Sequence, residues 1–313
     1  MVDPAIQVQP VQLPDVAVVL ITYNHERFIA ESINSVLRQE YPGNIHVIVT
    51  DDCSTDQTQK VINETVSDVP PNVIVHLTLR QQNVGGLRNL SEAWESANDT
   101  GSAYVALLEG DDYWTDLRKL ALQVSYMEEH PRSTLSFGLA TELILRDDPP
   151  SSRLVVIPPS DHLTFGELLC RNFISTCTVV YRSGVLSRFP DWFAECPFRD
   201  WPLHLVHACA GDMHYVDHVV AVHRQHASGK WSTMSQRNQV SASVTVQRLA
   251  ITHLGTRHNF RRSHVAAARQ RWWAWTSRNK LARWAHILAA VTLEPDLVRR
   301  KLEGPRRSTD EGA

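Results

Sequence analysis

The chain has 313 residues, a formal charge of −3, 43% hydrophobic and 21% charged residues, the profile of one large globular α/β domain or two smaller ones. So mild a charge makes no case for nucleic acid as a partner. No stretch reaches the roughly 18 apolar residues of a membrane span.

Residues 1–14 are Pro- and Gln-rich without a period and read as a loose tail. Val16 to Ile21 is a continuous apolar run, the mark of a strand buried on both faces. Ile29, Ile33, Val36 and Leu37 recur at helical spacing, so 26–39 is expected to be an amphipathic helix, broken by Pro42-Gly43. Ile45 to Val49 is a second strand closed by Asp51-Asp52, and 55–66 is helical. Val73 to Leu79 is a third strand, and Gly85-Gly86 turns into a helix running to about residue 97. Ala103 to Leu108 is a fourth strand, followed by a helix over 117–129. Strands alternating with helices across short loops describe a parallel, flanked sheet. After about residue 132 the pattern is mixed: strands over 135–145, 175–181 and 213–223, helices over 164–170 and 201–210. From 235 onward the character is helical.

Ligands of such sheets bind beyond the carboxyl ends of the strands. The polar tips here are Thr22-Tyr23-Asn24, Asp51-Asp52 and Glu109-Gly110-Asp111-Asp112, on strands one, two and four, and they are expected to converge on one crevice. Three carboxylates within four positions repel one another and are costly to bury, which calls for a positive partner.

Four segments, "VVLITYNHERFIAESINSVLRQ", "IHVIVTDDCSTDQT", "NVGGLRN" and "LLEGDDYW", occur in this order. Together they resemble the family 2 glycosyltransferases, over roughly residues 15 to 232. The resemblance implies a GT-A fold: a mostly parallel nucleotide-binding sheet flanked by helices, here with a helical C-terminal extension. It implies a nucleotide-sugar-binding half over 15–131, an acceptor-binding half over 132–234 and the extension over 235–313. It also implies roles. Thr22, Tyr23 and Asn24 line the base and ribose, Asp52 hydrogen-bonds the base, and Arg88 faces the ribose or diphosphate. Glu109-Gly110-Asp111 takes the place of the D-x-D motif, in which one carboxylate meets the ribose, with Glu109 as the candidate although Asp is commoner there, and Asp111 or Asp112 meets a divalent metal. An anionic nucleotide-sugar fits beside these acids only with a cation between, so Mg²⁺ or Mn²⁺ is expected as cofactor. The alternative for Asp111 and Asp112 is the acidic start of the next helix; for Asp52 it is a loop cap.

In the second half the resemblance implies a carboxylate base at the start of a helix. The pair at that place is Arg199-Asp200, so Asp200 is the candidate to take the acceptor hydroxyl's proton; it is also suited to capping the helix from Trp201. His223-Arg224-Gln225-His226, with Gly229, Trp231 and Ser232, resembles the family's closing loop, which makes His226 a candidate metal or diphosphate ligand. The pairs His204/His207 and His214/His218 have metal-like spacings but no Cys or carboxylate placed to complete a zinc site, and read as surface or core histidines.

From Arg261 to the end, twelve Lys/Arg stand against five Asp/Glu, interleaved with Trp272, Trp273, Trp275 and Trp284. Such helices either lie on an anionic membrane surface or pack their tryptophans on the catalytic domain or a second subunit. The start, Met1 to Ala5, lacks the basic and apolar regions of a signal peptide. Five cysteines without a C-x-x-C pair read as reduced thiols. The expectation is therefore a cytoplasmic enzyme: a metal-dependent inverting glycosyltransferase that moves a sugar from a UDP- or dTDP-sugar to a glycan, lipid-linked or small-molecule acceptor. The other class to weigh is a GT-A-like module that binds a nucleotide sugar or glycan without transferring it. A nucleotidyltransferase would carry a Gly-rich basic loop after strand one, which "ITYNHERF" lacks.

Overall fold

A computed structural model describes residues 12–154, 163–227, 229 and 233–255. The chain divides into two compact units that interleave along the sequence. The first comprises residues 1–157, 174–190 and 210–232, the second 158–173, 191–209 and 233–313.

The first unit is built on one sheet. Its opening half runs β1 (Val16–Thr22), α1 (Ile29–Leu37), β2 (Ile45–Asp51), α2 (Thr58–Thr65), β3 (Val73–Leu79), α3 (Gly86–Asp99) and β4 (Tyr104–Glu109). β5 (Tyr113–Trp114), α4 (Lys119–Glu129), β6 (Ser133–Ile144) and β7 (Ser151–Leu154) follow, and β8 (Val180–Arg182) and β9 (Asp212–Gln225) return to the same sheet. The strand order is β3-β2-β1-β4-β8-β6-β9-β5, with β7 paired to β6. The first four strands are parallel, while β8 is antiparallel to β4 and β6.

The apolar runs explain the parallel part. Val16, Val18, Leu20, Ile45, Val47 and Val49 are all 0% exposed, as strands covered on both faces must be. Strand order reverses beside β1, with β2 on one side and β4 on the other. The ends of β1, β2 and β4 therefore lie next to one another, Thr22 opposite Asp51 and Ile21 opposite Glu109, and a ligand crevice opens at such a switch point. α1 buries Ile29, Ile33, Val36 and Leu37 as its spacing requires. Its polar inner positions are bonded: Ser32 Oγ donates to the Glu109 carbonyl at 3.2 Å, and Ser35 Oγ accepts from the Trp114 amide at 3.0 Å.

The second unit contains α5 (Phe165–Cys170), α6 (Asp200–Ala210) and α7 (Gln236–Leu254). Thr164 and Glu167 form a capping box on α5. Trp201 Nε1 donates to the Leu168 carbonyl at 2.8 Å, and Gln247 Nε2 to those of Leu169 and Cys170 at 3.1 and 3.2 Å.

Several expectations change. Leu13 is buried and Tyr41 donates its hydroxyl to the Pro14 carbonyl, so the chain is already fastened before β1. The strand expected over 175–181 begins as a 3₁₀ turn, Thr176–Thr178, because side chains from elsewhere claim its carbonyls. Trp114 Nε1 donates to Cys177 at 2.7 Å and Gln123 Nε2 to Thr178 at 3.0 Å. All five cysteines are free. Among the described residues no helix is long and apolar enough to cross a membrane. The basic, Trp-rich stretch from Arg261 onward lies outside the described residues, as do Trp231 and Ser232 of the closing segment.

Candidate active site

The loops after β1 and β2 are tied to each other. Asn24 adopts a left-handed conformation, φ 57°, which Asn tolerates better than most residues. Its amide donates to Ser54 Oγ at 2.8 Å and its Oδ1 accepts from the Thr55 amide at 2.8 Å. The His25 amide donates to Thr58 Oγ1 at 2.8 Å. Asp51 is fully buried and accepts from the Ser54 amide at 2.9 Å and Gln59 Nε2 at 2.6 Å, so it holds the loop together. Tyr23 stands exposed at the tip.

Asp52 is buried as well. Its amide donates to the Thr22 carbonyl at 3.1 Å, and its two carboxylate oxygens accept from the amides of Val84 and Gly85 at 2.7 and 3.0 Å. Asp52 thus joins the β1 tip to the loop that opens α3, where Gly85 takes φ 85°, a conformation suited to glycine. Arg88 lies on the exposed side of α3, its Nε donating to Glu92 at 2.6 Å.

The Glu109-Gly110-Asp111-Asp112 segment packs directly against the β1 tip. The Gly110 amide donates to the Ile21 carbonyl at 2.9 Å. A Cβ at Gly110 would meet Thr22 Oγ1 at 2.6 Å and Thr22 Cβ at 2.7 Å, so only glycine allows this approach. Asp111 and Asp112 face different surroundings. Asp112 is 1% exposed and its Oδ1 accepts from the Arg224 amide at 2.8 Å. Burial, with the charge of Asp111 beside it, pushes its carboxyl well above the ordinary range. Asp111 turns toward two imidazoles: His226 Nε2 donates to its Oδ2 at 2.9 Å, and His25 Nε2 lies 3.8 Å from the same oxygen. Burial works against the charge of Asp111, but the His226 hydrogen bond and both imidazoles outweigh it and hold the carboxyl below its ordinary value.

His226 follows the last residue of β9. The pairing of Tyr113 with Val222 and of Trp114 with Ala221 delivers it to Asp111. Phe28 packs on its ring, centroids 5.2 Å apart. Arg224 braces the arrangement: its Nη1 donates to the Asp111 carbonyl at 2.7 Å, its guanidinium lies 4.3 Å from the Tyr113 ring centre, and it pairs with Glu31. A cavity of about 270 Å³ opens beside these groups, lined by residues 24–28, Asp56, His226 and Ala227.

Among the described residues, possible metal ligands gather at this tip in two overlapping groups, His25–Asp111–His226 and Glu109–Asp111–Asp112, with ligand atoms within 4.8 Å of one another. Two imidazoles and a carboxylate facing one point suit a divalent cation. His204 and His207 are core residues, 0% exposed, and His218 donates to Asp116 at 2.5 Å. Asp200 belongs to the second unit, in the first turn of α6. The carbonyl that accepts from the Leu203 amide is that of Arg199, which puts Asp200 just inside the helix instead of at its cap. Asn172 Nδ2 donates to its Oδ2 at 3.2 Å.

Thr22, Asp52, Glu109, Asp111, Asp112 and His226 thus come together around the β1 and β4 tips, with Tyr23 and Asn24 at the rim. His25, Phe28 and Arg224 join them without having been singled out from the sequence. The signal for His25 was its position, one residue past the Thr22-Tyr23-Asn24 tip.

The β3-β2-β1-β4 parallel sheet, with carboxylates and histidines at its switch point and β8 antiparallel beside β4, is of the GT-A fold class. Residues 17–170 match the family described as glycosyl transferase family 2. An uncharacterized protein of Mycobacterium tuberculosis is 36% identical over 215 residues, 69% of this chain and 60% of that protein. The chain therefore matches about 60% of that relative's length. Two solved structures share the fold. TarS of Staphylococcus aureus, a poly(ribitol-phosphate) beta-N-acetylglucosaminyltransferase, was solved with UDP-GlcNAc; it matches with a TM-score of 0.62 at 16% identity, over 91% of this chain and 82% of that one. The mannosyltransferase PcManGT of Pyrobaculum calidifontis, solved with GDP-Man and Mn²⁺, matches with a TM-score of 0.54 at 17% identity, over 95% of this chain and 88% of that one.

Proposed function

We propose that this chain is a metal-dependent, inverting glycosyltransferase that moves a sugar from a nucleotide-activated donor, a UDP- or dTDP-sugar, to a hydroxyl of a glycan or glycoconjugate acceptor. The observation that carries the reading is Asp111, with His226 on its carboxylate, held at the switch point of the sheet next to Thr22 and Asp52. The family match over residues 17–170 supports it, as do a neighbour solved with UDP-GlcNAc and another with GDP-Man and Mn²⁺.

The roles divide as follows. Thr22, Tyr23, Asn24 and Asp52 line the nucleoside, and Arg88 swings from Glu92 to the ribose or diphosphate. Glu109 faces the ribose. Asp111 and His226 hold a divalent cation, with Asp112 behind them. When bound, Mg²⁺ or Mn²⁺ supplies positive charge against the leaving diphosphate. The acceptor oxygen attacks the anomeric carbon from the face opposite the diphosphate, and its proton passes to the Asp200 carboxylate. The bond to the diphosphate oxygen breaks, and the diphosphate keeps that electron pair.

A non-transferring binding module is the second reading. The Arg199-Asp200 pair, with Asp200 already bonded to Asn172, favours it. A donor-and-acceptor screen separates the two. The enzyme reading expects UDP- or dTDP-sugar binding strengthened by Mn²⁺ together with release of the free nucleoside diphosphate on acceptor addition. Tight donor binding without release for any acceptor would leave the binding module.

A further inference from the structure

We infer that His25 is a third protein ligand of the cation held by Asp111 and His226, and that the resulting two-imidazole set makes the site select Mn²⁺ and softer ions over Mg²⁺. The inference rests on reading that pair as a cation site and adds to it a ligand and an ion preference.

Four features lead to His25. First, its Nε2 lies 3.8 Å from Asp111 Oδ2, and His226 Nε2 lies 2.9 Å from the same oxygen. Ligand atoms bound at about 2.1 Å to one ion stand about 3 to 3.4 Å apart at octahedral and tetrahedral angles. The two separations bracket that range, and the ligand atoms of all three residues lie within 4.8 Å of one another, so a modest adjustment brings them onto one ion. Second, the other ring nitrogen of His25 is already engaged, Nδ1 pairing with Thr22 Oγ1 at 3.1 Å. Metal-bound histidines are held in this way, by a partner on the far nitrogen that fixes the ring. Third, the backbone is built to bring His25 in. Its amide is anchored on Thr58, and a Cβ at Gly110 would stand 3.0 Å from His25 Nδ1. Fourth, the three side chains are sheltered, 17%, 18% and 10% exposed for His25, Asp111 and His226, so few waters compete for the ion.

The preference follows from donor chemistry. Mg²⁺ favours oxygen ligands and gives up water reluctantly, whereas imidazole nitrogen suits the transition metals and zinc. A site with one imidazole and several carboxylates distinguishes the two ions weakly. A second imidazole adds affinity for Mn²⁺, Co²⁺ and Zn²⁺ that Mg²⁺ does not share.

The test uses the purified full chain, with and without saturating UDP, and reads metal binding instead of turnover. Mn²⁺ affinity is taken from the loss of the free-ion electron paramagnetic signal, and Mg²⁺ affinity from competition. His25→Gln is expected to weaken Mn²⁺ binding by about tenfold or more while Mg²⁺ binding stays within about twofold, so the Mn²⁺/Mg²⁺ ratio falls with it. Wild-type chain loaded with Cu²⁺ is expected to show couplings to two imidazole nitrogens by electron spin echo, a readout that does not depend on the variant folding. Equal Mn²⁺ affinity in His25→Gln, an equal loss for both ions, or a single coupled imidazole in the wild type would overturn the assignment. UDP binding by the wild type, measured in the same samples, bears on the transferase reading alone.

Discussion

Replacing Lys119 by Met is expected to stabilise the protein. Lys119 opens α4 and is 0% exposed, with its Nζ 4.3 Å from the centre of the Trp114 ring. Among the described residues that Nζ meets no hydrogen-bond acceptor, and the N-terminal end of a helix opposes a cation. Burial pushes the amine from 10.5 down to about 7, against the pull of Cys177 and Asp116. At about 1.4 kcal/mol per pH unit, that displacement corresponds to roughly 5 kcal/mol of stability withheld below about pH 7. Met keeps the unbranched stem but gives up the amine–ring contact, worth up to about 2 kcal/mol, which leaves a net gain of about 3 kcal/mol. The sign of the pH dependence is fixed. Between pH 7 and 10.5 the unfolded chain carries more protons at this position than the folded one, so Lys119 makes wild-type stability rise with pH through that window. The Met variant lacks that rise; its advantage is full below about pH 7 and vanishes near about pH 9. Urea unfolding of both proteins across this range, followed by tryptophan fluorescence, measures the gap directly. A variant less stable than wild type at pH 7, or a gap that does not change with pH, would refute the argument that burial draws the Lys119 amine down to about 7.

Three further outcomes follow from the site. Gly110→Ala forces a Cβ to within 2.6 Å of Thr22 Oγ1; we expect a loss of about 1–3 kcal/mol of stability and weaker Mn²⁺-dependent nucleotide binding, and unchanged calorimetry would mean that the strand tips part easily. Asp52→Ala removes the acceptor of two backbone amides as well as the proposed contact to the base, so nucleotide binding should fall by about 1.5–3 kcal/mol with or without metal; unaltered affinity would exclude Asp52 from the pocket. Asp200→Asn should keep donor binding and slow transfer by roughly 10²–10⁴-fold; a variant as active as wild type would move the base to Glu195 or Asp191.

The centre of the parallel half was legible because β1 and β4 are buried on both faces and announce themselves as unbroken apolar runs. Val16 to Ile21 and Val73 to Leu79 were read nearly to the residue. Convergence of the three polar tips followed from α/β topology and is what the pairing of β1 with β2 and β4 produces. What local pattern does not carry is pairing at a distance. β5 is two residues long and exists by virtue of Val222 and Ala221, more than a hundred positions later. No periodicity marks it, yet it brings His226 and Arg224 to Asp111. The inward turn of Asp112 was equally hidden, since adjacent aspartates look alike until one of them meets the Arg224 amide. His25 is the opposite case. Its place beside the β1 tip was visible, but only the fold shows that its ring turns to the same carboxylate as His226.

The central claim, that Asp111 and its histidines join a cation to a nucleotide-sugar diphosphate at the sheet's switch point, is tested most directly by calorimetric titration. UDP and dTDP, free and as sugar conjugates, are titrated into wild type and Asp111→Asn, each with and without Mn²⁺. The account predicts wild-type binding of one nucleotide class that Mn²⁺ strengthens by about tenfold or more, and loss of that strengthening in Asp111→Asn with the fold intact by circular dichroism. Nucleotide binding indifferent to Mn²⁺ in the wild type, or an Asp111→Asn variant that retains the full metal effect, would contradict it.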